Sequence, residues 1–169
     1  SFPTRRSSDL GTRQRFHPVS LIFRETEHGV FIAHSYQYSP ELSTFLVEVD
    51  PETWRRAGLD RASEDESRRY CAEVFRPELG AHELLTNRSL WFEAKIVRNE
   101  QWSYRNIVLL GDALRTVHFS LGSGTRMAMQ DAIALSDGLA RHPDDLQAAF
   151  AAFEAQRRPA SSSFQAAAA

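Results

Sequence analysis

The stretch that decides the fold is Asn106-Ile107-Val108-Leu109-Leu110-Gly111-Asp112-Ala113-Leu114-Arg115-Thr116-Val117-His118-Phe119-Ser120-Leu121-Gly122-Ser123-Gly124-Thr125-Arg126-Met127-Ala128-Met129-Gln130-Asp131-Ala132. Ile107 to Leu110 is a continuous apolar run, the pattern of a strand buried in a parallel sheet. Gly111-Asp112 follows it, so an acidic side chain stands just past the carboxyl end of that strand, where ligands of open α/β folds bind. Asp112 there can accept hydrogen bonds from sugar-like hydroxyls. Gly122 and Gly124 let the backbone approach a flat or anionic group closely. The helix they open directs free N–H groups and a positive dipole end at the same place. A polyhydroxylated cofactor with an electron-accepting head fits both ends of the loop. The plainer alternative is a strand–turn–helix in which Asp112 only caps the turn.

Downstream, Met127, Ala128, Ala132, Leu135 and Leu139 recur at helical spacing. Pro143 then opens a further helix carrying Leu146, Phe150 and Phe153, before Arg157-Arg158-Pro159. Upstream the pattern is β. Val19–Arg24 is a short strand, and Glu25–Gly29 supplies a turn. Val30–Tyr38 alternates, with Val30, Ile32, His34, Tyr36 and Tyr38 on one face and Phe31, Ala33, Ser35 and Gln37 on the other. Leu42–Val49 is a third strand, giving an antiparallel meander one face of which needs covering. Asp50-Pro51 starts a short helix ending at Gly58. Ser63 with Glu66 forms a capping box for a second, striped by Tyr70, Val74 and Phe75 and stopped by Pro77. Leu90–Val97 alternates like one more strand.

Leu110 to Ala132 resembles the second flavin-binding motif of the single-component, FAD-dependent aromatic-ring monooxygenases: Gly-Asp-Ala-Ala-His, a bend, then Gly-x-Gly and a helix with a later Asp-Ala. By position, Gly111 and Asp112 would hold the ribityl chain of FAD, and Gly122, Ser123, Gly124 and Thr125 would bring backbone amides to the pyrimidine edge of the flavin. Asp131-Ala132 would sit in the helix behind them. The form His118–Thr125 is similar to a subgroup acting on aromatic acyl-coenzyme A thioesters, that of salicylyl-CoA 5-hydroxylase and the 2-aminobenzoyl-CoA monooxygenase/reductases, often fused to an old-yellow-enzyme-like domain. The chain departs from the family pattern at Leu114 and Arg115, where a second alanine and a histidine are usual.

The resemblance implies a mixed α+β and α/β fold: part of a Rossmann-like, hydroxylase-type FAD-binding fold with an antiparallel substrate-domain sheet. It also implies a reaction in which flavin, reduced by NAD(P)H, captures dioxygen and transfers one oxygen atom to an electron-rich ring. The cofactor carries the hard chemistry, so no catalytic triad and no metal site is expected. His118 and Phe119 would border the flavin, and His34, Tyr36 and Tyr38 would meet the aromatic substrate. The Gly-x-Gly-x-x-Gly turn that cradles a pyrophosphate is missing from the sequence, which has 8 glycines and Met127 where the third would stand. The chain alone is therefore expected to bind FAD weakly. Two further function classes stay open: a flavoprotein reductase or dehydrogenase of the same fold, and a non-catalytic α+β interaction module.

The 169 residues are 42% hydrophobic and carry 20 basic and 22 acidic residues, a net charge of −2. That balance argues against a nucleic-acid or anionic-membrane partner. No run approaches the about 18 apolar residues of a membrane span. Cys71 is the single cysteine, favouring a reducing, cytoplasmic setting and, in its helix, the role of a small buried hydrophobe. Only Lys95 among the basic residues is lysine. The Arg55-Arg56, Arg68-Arg69 and Arg157-Arg158 pairs lie among acids and are expected to face solvent. Residues 1–10 read as the in-frame translation of a sequencing adapter and are set aside from fold reasoning, so that the natural sequence is expected to begin near Gly11. Residues 11–100 are then expected to be substrate sheet and helices, and residues 101–169 the closing part of the FAD-binding domain. The chain is expected to be a fragment.

Overall fold

A computed structural model describes residues 6–93, 95–117 and 122–167. It divides into two compact units, one ending at residue 94 and the other beginning at Lys95.

The first unit is an antiparallel sheet with helices on one face. Its strands are β1 (Arg6–Thr12), β2 (Ser20–Thr26), β3 (Gly29–Gln37), β4 (Ser43–Val49), β5 (Leu84–Leu85) and β6 (Phe92–Glu93), in the order β2-β3-β4-β1-β5, with β6 pairing β1. The expected meander is present, with Ala33 opposite both Ile22 and Val47. Phe31, Ala33, Phe45, Val47 and Val49 are buried on one face. Over them lie α1 (Pro51–Arg56), α2 (Glu64–Val74) and α3 (Arg76–Leu79), whose Cys71, Phe75 and Leu79 join the same core. Phe75 meets Phe45 edge-on at 5.3 Å between ring centroids. Each such buried phenylalanine contributes about 1.5–3 kcal/mol by leaving water. Asp50 caps α1 through the Glu52 and Thr53 amides, and the Ser63–Glu66 capping box is formed.

Three expectations change here. Residues 6–10, set aside at first, form most of β1, which pairs with β4 from Arg6↔Val49 to Thr12↔Ser43; Leu10 and Ser8 are buried. Main-chain pairing makes few demands on sequence, and an open β4 edge accepts a strand of this length. The strand expected over Leu90–Val97 reduces to Phe92–Glu93. Its later residues turn instead to Thr116, whose N–H donates to Val97 O (3.1 Å) and whose hydroxyl donates to Lys95 O (2.8 Å). Residues 95–100 therefore belong with the second unit, and the division falls before the expected 100/101 boundary.

The second unit contains a hairpin, β7 (Ser103–Tyr104) with β8 (Ile107–Val108), a short helix α4 (Gly111–Leu114), and two long helices, α5 (Gly124–Arg141) and α6 (Leu146–Ala167). The apolar run at 107–110 is not a parallel strand here. Ile107 and Val108 pair antiparallel with β7 and Ile107 is exposed, whereas Val108 to Leu110 pack onto Trp102, Leu114, Ala134 and Phe153. The run is buried on one side only, because no parallel neighbour flanks it among the described residues. The buried face of α5 is Met127, Asp131, Ala134 and Gly138, rotated from the expected stripe so that Ala132 is exposed. Helix α6 runs through Pro159. Its continuation is tied back by Gln165, whose side-chain amide donates to Val97 O and Thr116 O, offsetting the lost backbone donor.

Candidate functional site

The Gly111-Asp112 turn and the start of α5 form opposite walls of one cleft of about 580 Å³, lined by Asp112, Thr116, Val117, Gly122, Ser123, Gly124, Thr125 and Ala128. Five of the six residues singled out for cofactor binding line it, and the sixth, Gly111, adjoins it with Asp112 and Gly124. Gly111 has φ +54°, in the left-handed region, and a Cβ there would stand 3.2 Å from Ala128 Cβ. Both the turn and the close approach of α5 call for glycine. The Asp112 carboxylate accepts no hydrogen bond among the described residues. Gly122, at φ +58°, turns the chain into α5, whose first turn has no side-chain cap hydrogen bond among the described residues. The cleft therefore offers an acceptor at one end and a row of backbone donors at the other.

Asp131 lies beneath the turn and is fully buried. Arg115 donates to both of its oxygens, Nη1 to Oδ2 and Nη2 to Oδ1, each at 2.8 Å. Arg157 Nε donates to Oδ1 at 2.9 Å, and the Gly111 N–H reaches Oδ2 at 3.4 Å. Burial alone would push the Asp131 carboxyl up; the hydrogen bonds and charges of Arg115 and Arg157 outweigh it and hold the carboxyl below its ordinary value. Arg157 is thus not a solvated surface residue as expected: it is 8% exposed. Its place was legible, since Phe150, Phe153 and Arg157 recur at i, i+3 and i+7 on the core stripe of α6. Arg115, the departure from the family motif, is 5% exposed and stacks near Trp102, its guanidinium carbon 5.6 Å from the ring centroid.

The substrate candidates lie in the first unit. His34 and Tyr36 sit on the sheet face opposite the core, and Tyr38 just beyond the end of β3; Tyr36 and Tyr38 are exposed. Leu21 and Phe23 of β2 share that face through their pairing with His34 and Ile32, and both are exposed. Sequence reasoning missed Glu48 on the same face. It is fully buried, with Oε1 3.4 Å from His34 Nε2, and an acid inside the run Phe45-Leu46-Val47-Glu48-Val49 was the available signal. His118 and Phe119 lie outside the described residues. No helix among the described residues is long and apolar enough to cross a membrane.

Residues 7–165 match the family model of the FAD binding domain. The chain is 39% identical over 158 residues to a salicyloyl-CoA 5-hydroxylase from a Streptomyces species, covering 89% of this chain and 31% of that protein. It is 41% identical over 150 residues to protodeoxyviolaceinate monooxygenase of Chromobacterium violaceum, covering 88% of this chain and 40% of that one. The chain thus spans between 31% and 40% of the length of these relatives. A variant of HpxO from Klebsiella pneumoniae, solved in complex with FAD, shares the fold at a TM-score of 0.63 and 19% identity, over 98% of this chain and 44% of that one. With a family model covering nearly its whole length, the chain belongs to the FAD binding domain family.

Proposed function

We propose that the chain is part of an FAD-dependent monooxygenase that hydroxylates an aromatic substrate, using NAD(P)H and dioxygen. The observation that carries this is the cleft between Asp112 and the start of α5. The residues present fit FAD. The Asp112 carboxylate, which accepts no hydrogen bond among the described residues, suits the hydroxyls of a ribityl chain, and the Gly122–Thr125 backbone suits the polar edge of a flavin ring. Bound FAD supplies the redox chemistry, passing electrons from the nicotinamide to dioxygen. The protein's own part is to hold the ribityl hydroxyls at Asp112, to direct α5 amides at the ring edge, and to present an apolar sheet face carrying His34, Tyr36 and Tyr38 to an aromatic ring. On that face the buried Glu48 places Oε1 3.4 Å from His34 Nε2. His118 and Phe119 would border the flavin.

The identity with a hydroxylase named for salicyloyl-CoA supports an aromatic acyl-CoA thioester as the substrate. A fused old-yellow-enzyme-like domain and a cytoplasmic location belong to the same reading. The test is the purified full-length protein. It should carry FAD and consume NAD(P)H and dioxygen when given an aromatic acyl-CoA, with one atom of labelled dioxygen in the product. Asp112→Ala should raise the FAD dissociation constant about tenfold through loss of a charge-assisted acceptor. Turnover with an artificial acceptor in the absence of oxygen, and no hydroxylated product, would instead identify a reductase or dehydrogenase. Absence of any FAD binding would leave an interaction module.

A further inference from the structure

We propose that the Arg115–Asp131–Arg157 triad is a positioning device that locks the Gly111-Asp112 turn to the start of α5. This rests on the cofactor reading of the cleft above it. One buried carboxylate receives donors from two separate pieces of chain: α4 with its cap, through the Gly111 amide and the Arg115 fork, and α6, through Arg157. Asp112 is the next residue after Gly111, so the contact that seats the Gly111 amide also sets where the Asp112 side chain starts. Asp131 lies two helical turns into α5, below Gly124 and Thr125 on the same rigid element. The two walls of the cleft are thereby referred to a single pair of oxygens.

A role in stability alone accounts poorly for the arrangement. Apolar residues of similar volume hold two helices together at least as well as a buried ion pair. Here a second guanidinium is buried on a carboxylate already fully engaged by the first, and Arg115 Nε is left without a partner. What the triad adds is direction: the planar fork of Arg115 fixes both oxygens in one plane, leaving Oδ2 aimed at the Gly111 N–H. The charged groups around Arg115 are Asp131 from α5, Arg157 and Arg158 from α6, and Asp112 from α4. A neutral histidine at 115 would offer one donor where Arg115 offers two, and would match the charge and the second donor only when protonated.

The experiment uses the full-length protein with Arg115→Gln, Arg115→Lys and Arg115→His. Hydrogen exchange of the Gly111 amide, read without flavin, should accelerate about tenfold or more in Arg115→Gln and recover in part in Arg115→Lys. The FAD dissociation constant should rise in parallel. In Arg115→His it should be about tenfold lower near pH 5.5 than near pH 8, against a flat profile in the parent. Gly111 exchange within about twofold of the parent in Arg115→Gln, or a flat pH profile in Arg115→His, would overturn the proposal. Should Arg115→Gln not fold, the contrast of Arg115→Lys with Arg115→His across pH carries the same decision. A parent that binds no FAD would sink the cofactor reading, while Gly111 exchange would still decide the lock.

Discussion

Asp131→Asn changes one atom and tests how strongly the second unit depends on its buried carboxylate. Each oxygen of Asp131 receives two donors: Oδ2 from Arg115 Nη1 and Gly111 N, Oδ1 from Arg115 Nη2 and Arg157 Nε. Whichever way the new amide turns, its NH2 faces two of those donors, so two contacts become repulsive and two buried guanidiniums lose their counter-charge. Removing one partner of a buried ion pair costs about 3–5 kcal/mol, and charge-assisted hydrogen bonds about 1.5–3 kcal/mol each, which agree on a loss near 3–5 kcal/mol. A unit of this size holds roughly 4–11 kcal/mol in all, so the variant should lose a large share of it. Because the two units need not unfold together, the assay requires a local probe. Trp102, 4% exposed against Phe153, is that probe once Trp54 and Trp91 are replaced by phenylalanine. Urea titration at pH 7, followed by its fluorescence, should show the loss.

The pH dependence gives a second handle on the same residue. The Asp131 pKa is lowered in the folded state, so its contribution is present above the unfolded carboxyl value of about 3.9 and disappears as pH falls through the folded value. The gap between parent and variant should therefore close in acid, since asparagine does not titrate. A gap below about 1 kcal/mol at pH 7, or one that persists unchanged into strong acid, would refute the reasoning.

Gly111→Ala should destabilise the second unit by about 1–2 kcal/mol, because alanine at φ +54° is strained and its Cβ would press Ala128. Gly124→Ala is the control: an added Cβ there meets nothing within 4 Å, so the same Trp102-monitored unfolding should move little. Cys71, whose thiol burial pushes up to about 12, should resist thiol reagents at pH 8 in the folded protein and react fully in denaturant. The Asp112→Ala titration completes the set, weakening FAD binding without the loss of fold expected of Asp131→Asn.

Much of the local structure was readable because its causes are local. Strand alternation placed β2 to β4, and Asp50-Pro51 and Ser63–Glu66 marked the helix starts. Gly111-Asp112 and Gly122–Thr125 were legible as a candidate site because backbone freedom, an acceptor and a helix start are written into adjacent residues. Leu90–Val97 misled because alternation says only that a strand is possible; pairing partners decide whether it forms. Ile107–Leu110 misled for the same reason, since an apolar run records a need for burial and not the side from which cover comes.

The sequence by itself determined β2 to β4, the helix starts and the Gly-Asp and Gly-x-Gly motif, through periodicity and short-range chemistry. Only the tertiary structure decided which charges are buried together. Arg115, Asp131 and Arg157 come from the end of α4, from α5 and from α6, and no one of these segments shows that the three meet. Their grouping depends on how α5 and α6 pack against the Gly111 turn. Burial then turns the group from three solvated charges into a directed network, because the Coulomb and desolvation energies that govern it depend on surroundings no single segment contains.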